Sequence, residues 1–61
     1  MHVKLNGKDH SLEGVHTVAS LLANAGVDAK TVVVELNGTI LREPEFAGAA
    51  IAEGDEVEVV H

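Results

Sequence analysis

Cysteine is absent from these 61 residues, which excludes a disulfide, a thiolate metal site and a cysteine nucleophile. Tryptophan and tyrosine are absent as well, and Phe46 is the sole aromatic residue. A chain so poor in rings offers no stacking platform for single-stranded nucleic acid. Positive charge is scarce: Lys4, Lys8, Lys30 and Arg42 stand against ten acids, for a net charge of −6. Phosphate backbones draw their affinity from Lys and Arg, so nucleic acid and anionic membrane surfaces are both disfavoured as partners. No apolar run approaches membrane-spanning length, and Met1-His2-Val3-Lys4 does not open a signal peptide. A soluble, cytoplasmic protein is expected.

What is present is aliphatic. Apolar residues make up 46% of the chain, nearly all of them Val, Leu, Ile and Ala. That supply suits one small domain over residues 1–61, near the lower size limit for folding without staples. Its first segment alternates on both sides of Asn6-Gly7, the strongest short-range hairpin signal, because both turn residues tolerate positive φ. A two-residue turn pairs Val3 with His10 and Leu5 with Lys8. Val3, Leu5, His10 and Leu12 then share a face, and His10 is expected to be partly buried.

Thr17 stands where a helix N-cap belongs, and Val18, Leu21, Leu22 and Ala25 fall at helical spacing on one stripe. Gly26 suits the left-handed residue that ends such a helix. With Ser20 rather than Glu or Gln at the third position, the capping box reads as incomplete. A strand is predicted over Thr31–Leu36, followed by a second Asn-Gly at 37–38 and a short strand Thr39–Leu41. Pro44–Ala50 reads as a helical or 3₁₀ connector, and Glu56–His61 as a final alternating strand. One helix over one sheet makes a two-layer α+β architecture in the order ββαββ, short helix, β.

Five landmarks lie in order along the chain: Val3-Lys4-Leu5-Asn6-Gly7, Thr17-Val18 with Leu21-Leu22, Val34-Glu35-Leu36-Asn37-Gly38, Leu41-Arg42-Glu43, and Glu53-Gly54-Asp55-Glu56-Val57-Glu58-Val59-Val60. Together they resemble the ThiS-type sulfur carrier proteins of thiamine (thiazole) biosynthesis, in the ThiS/MoaD ubiquitin-like superfamily. The resemblance implies a β-grasp fold with a mixed sheet, the last strand beside the first. It also implies docking on an E1-like adenylating enzyme (ThiF-type) and on thiazole synthase (ThiG-type). Sulfur would travel as a thiocarboxylate on a C-terminal Gly-Gly tail, with no catalytic site or cofactor on the carrier itself. That tail would follow His61. None of the six glycines lies in the last seven residues, so the expectation is a carrier body whose tail has been truncated. Two other readings stay open: a TGS-type ligand- or protein-binding module, and a MoaD-like carrier for molybdopterin synthesis.

Four histidines invite a metal reading, but His2 and His10 point to opposite faces of the hairpin and no pair has helical i, i+4 spacing. No metal is expected. Glu53, Asp55, Glu56 and Glu58 read as a solvated face or turn, with room for electrostatic steering of a basic partner. Thr17, Ser11 and Ser20 show no triad arrangement. Glu43 and Glu45 read as connector surface. The remaining oddity is apolar excess on the outer side of the sheet. If Val32, Val34, Leu36, Val57 and Val59 face the core, Val33 and Val60 face outward, as must one of Ile40 and Leu41. In a β-grasp sheet Val33 and Val60 are neighbours, so Val33, Val60, Ile40 and Leu41 are the candidate protein-interface residues.

Overall fold

The computed structural model describes all 61 residues, Met1–His61. Strands β1 (His2–Leu5) and β2 (Lys8–Ser11) form the first hairpin, and β3 (Val33–Leu36) and β4 (Thr39–Leu41) the second. Helix α1 (Val18–Ala25) lies between the hairpins in sequence, and α2 (Glu43–Phe46) precedes the last strand, β5 (Glu56–Val60). The sheet order is β2-β1-β5-β3-β4, with β5 parallel to β1 and antiparallel to β3. This is the mixed sheet of the β-grasp fold.

Both hairpins turn on Asn-Gly with φ positive at each residue: 49° and 82° at Asn6-Gly7, 50° and 87° at Asn37-Gly38. Such turns match the twist of the flanking strands. A Cβ built on Gly7 would meet nothing within 4 Å, so conformation rather than crowding selects glycine there. The resulting register pairs Val3 with His10 and Leu5 with Lys8, as the parity of the sequence predicts. His10 itself is exposed, contrary to expectation. Strand β2 is an edge strand exposed along its whole length, so sharing a face with Val3 does not bring core packing over His10.

The core is wholly apolar: Val3, Val15, Val18, Leu21, Leu22, Val32, Val34, Phe46, Ile51 and Val57. Helix α1 contributes Val18, Leu21 and Leu22, while Ala25, predicted on the same stripe, is exposed in the last turn. The helix start is better capped than its sequence suggests. Ser20 N–H donates to Thr17 Oγ1 at 3.1 Å, and Thr17 N–H donates back to Ser20 Oγ at 2.9 Å. Serine thereby closes the capping box in place of Glu or Gln. Thr31 is not in a strand. Asp28 caps a 3₁₀ turn over Ala29–Thr31 by accepting from Lys30 N–H at 2.9 Å, and this local bond outweighs the β preference of threonine.

Val15 and Ile51 reach the core from loops. Ile51 N–H donates to the His16 carbonyl and Val18 N–H to that of Ala49, both at 2.9 Å, so the segments entering α1 and leaving α2 are stitched together. No helix of the chain is long and apolar enough to cross a membrane.

Candidate protein-docking face

Pairing register decides which side chains share a face. On β3, Val34 and Leu36 turn inward while Val33 and Glu35 turn outward. Val33 lies opposite Val60 across β3–β5, and Ile40 lies opposite Glu35 across β3–β4. Ile40 is therefore diagonal to Val33, at a separation of about 7–8 Å typical of such neighbours. Ile40 and Val60 are 59% and 56% exposed, the two large apolar side chains most open to solvent, and Val33 is half-buried. Leu41, one of the four candidates from sequence, belongs elsewhere. It lies opposite Val34 and packs against the core, so the outer patch is Val33, Ile40 and Val60 without it.

Acidic residues border this patch. Glu35 and Glu58 sit directly opposite each other, and Glu56 follows on the same face of β5. With Asn37 and Gly38 they line an open groove of about 260 Å³. Opposed like charges weaken a strand pair, and no lysine or arginine forms an ion pair with them. Glu35 is the residue that sequence reasoning missed: its partner is 23 positions away, and only register joins them.

The other predicted acids have local structural work. Asp55 accepts from Ala52 N–H at 2.8 Å and from Asn37 Nδ2 at 3.0 Å. Glu53 accepts from His2 N–H at 2.9 Å, and its second oxygen lies 3.3 Å from His2 Nδ1. That backbone bond, aided by the nearby imidazole and N-terminal ammonium, holds the Glu53 carboxyl below the usual value. A depressed carboxyl pKa contributes stability that is present above its unfolded value and lost as pH falls through the folded one. Glu53→Gln is therefore expected to lower stability slightly at neutral pH and to converge with the parent as pH falls, which flattens the acid side of the stability–pH curve, read by urea melts from pH 3 to about 7. An unchanged acid limb would remove the clasp from the account. No group of three or more His, Asp or Glu side chains is placed to hold a metal ion.

The ThiS family model matches residues 3–61. The chain belongs to the ThiS family. In solved structures it is similar to the crystal structure of the thiamine biosynthesis protein ThiS from Geobacter metallireducens, at TM-score 0.87 and 34% identity, covering 100% of this chain and 93% of that one. The solution NMR structure from the same organism matches at TM-score 0.81 and 34% identity, covering 100% and 82%. Among curated proteins, a thiazole synthase from Paramagnetospirillum magneticum is 35% identical over 60 residues. That match takes in 98% of this chain but only 18% of the thiazole synthase, so this ThiS-family protein spans about a fifth of that relative's length.

The family membership and the observed sheet agree: the β5–β1 parallel pair is what the ThiS-type resemblance implies. The two similar solved structures are of a thiamine biosynthesis protein. In this member the patch and the acidic row lie on the sheet face opposite α1 and α2, which both pack on the inner side.

Proposed function

We propose that this protein is a sulfur carrier body for thiamine thiazole formation and acts by being bound rather than by catalysing a reaction. Adenylation by an E1-like enzyme and sulfur delivery to a ThiG-type thiazole synthase would be its two encounters, both in the cytoplasm where ATP is supplied. The observation that carries this reading is the exposed Val33–Ile40–Val60 patch at the end of β5, bordered by Glu35 and Glu58. An apolar centre with a charged rim is the anatomy of a protein interface. Because Val60 is the last residue of β5, a partner gripping the patch would hold the point from which a following tail departs. The thiazole synthase that contains a stretch similar to this protein supports that enzyme class as one of the partners.

The test uses the gene product translated to its own stop codon, incubated with the adenylating enzyme, ATP and a sulfur donor. Intact-mass spectrometry should show exchange of one C-terminal oxygen for sulfur. An active enzyme that leaves the mass unchanged overturns the carrier reading. Uptake of sulfur that passes to a molybdopterin precursor rather than to thiazole would move the protein to the MoaD-like class.

A further inference from the structure

Strand β1 ends at Leu5, yet β5 runs on beside it to Val60. The rung that β1 no longer supplies comes from an asparagine: Val59 N–H donates to Asn6 Oδ1 at 2.7 Å. Asn37, in the equivalent turn of the second hairpin, holds the other end of β5 by accepting from Glu56 N–H at 2.8 Å. The two turns differ in how firmly the asparagine is held. Asn37 makes a second bond, through Nδ2 to Asp55 Oδ1 at 3.0 Å, whereas the Nδ2 of Asn6 makes none. The hairpins differ too. Every residue of β2 is exposed, while β4 is anchored by Leu41 against the core.

We propose that Asn6-Gly7 is a site of spontaneous deamidation and isoaspartate formation, faster than Asn37-Gly38, and that the modification releases the C-terminal end of β5. Glycine after asparagine leaves the attacking nitrogen without a neighbouring Cβ. The Gly7 backbone nitrogen loses its proton to solvent and bonds to the amide carbon, Cγ, of Asn6. The bond from Cγ to Nδ2 then breaks, and that nitrogen departs as ammonia with a proton from water. One water opens the resulting five-membered succinimide at either carbonyl, giving aspartate or isoaspartate; the net change consumes one water and releases one ammonia, with no oxidant or reductant.

The products differ in consequence. Aspartate at position 6 keeps an oxygen for Val59 N–H and strengthens that bond by its charge. Isoaspartate adds a methylene to the backbone of a two-residue turn. It breaks the β1–β2 register and draws the acceptor from Val59, next to Val60 on the docking face. The chemistry stands independently of the carrier reading.

The test ages the 61-residue protein in mildly alkaline buffer at 37 °C, with a urea-unfolded sample alongside. Peptide mapping by electron-transfer mass spectrometry separates aspartate from isoaspartate at each site. Asn6 should convert roughly fivefold faster than Asn37 in the folded protein, the factor that one additional net hydrogen bond gives. In the unfolded sample the two rates should converge. Asp55→Ala, which removes the second tether, should bring Asn37 towards the rate of Asn6. Hydrogen exchange at Val59 should quicken in the isoaspartate fraction and stay slow in Asn6→Asp. Equal or faster conversion at Asn37 in the folded protein overturns the proposal, as does Val59 exchange that ignores isoaspartate, or a folded Asn6 that does not convert while the unfolded one does.

Discussion

Phe46→Ala is expected to leave most of the protein unfolded at 37 °C. Phe46 is the only aromatic residue, is 1% exposed, and is delivered to the core by a helix only four residues long. Truncating a buried phenylalanine costs about 3–5 kcal/mol through lost transfer energy and the cavity left behind. A core in a protein of this size rarely supplies more than about 3–5 kcal/mol in total. The two quantities are comparable, so one substitution consumes the stability margin. Helix α2 has no independent means of survival, being far shorter than an isolated helix needs. Circular dichroism and thermal melting check this, with Phe46→Leu as a partly filled control that should retain a cooperative transition. A Phe46→Ala protein melting within a few degrees of the parent would show that the site collapses or that the core rests elsewhere.

The second large effect concerns function. Val33→Ser combined with Val60→Ser is expected to weaken binding to the adenylating enzyme by roughly tenfold or more. Each change removes apolar area worth about 1 kcal/mol when fully covered by a partner. The fold should persist, because Val60 is 56% exposed and Val33 is only half-buried. Calorimetry of the pair, with a thermal melt of the variant alone, separates the two effects. Binding that survives intact beside an unchanged melt would remove this patch from the docking model. Leu41→Ser makes the contrasting control: it packs against the core, so its damage should appear in the melt first.

Much of this architecture is legible in the residues themselves. Asn-Gly at 6–7 and 37–38 specifies both turns, and parity across the first specifies its register. The apolar stripe of α1 and the ordered landmarks of the ThiS-type resemblance carry the rest of the topology. Alternation tells which side chains share a face, but not whether anything covers that face. His10 is misplaced by sequence for that reason: β2 lies at the sheet edge, out in solvent. Val15 and Ile51 escape notice because loop residues have no period to betray them. Ser20 is undervalued because its short hydroxyl closes the capping box by a geometry that residue type alone does not announce.

The candidate site divides in the same way. Outward Val33 and Val60 follow from counting along their strands, whereas Glu35 becomes an acidic neighbour of Glu58 only when β3 meets β5. The choice of Ile40 over Leu41 needs the register of a three-residue strand, too short to show its own alternation.

The place of β5 bears on how the protein is made. It is the last of these five strands in chain order, yet it occupies the middle of the sheet, between β1 and β3. On the ribosome, neither hairpin can find its permanent neighbour until residues 56–60 have left the exit tunnel. Until then the nascent polypeptide holds two separate ribbons, each with an unpaired inner edge exposed to other molecules. Assembly is therefore concentrated into a late, nearly all-or-none step, in which the arrival of one strand closes both inner edges at once.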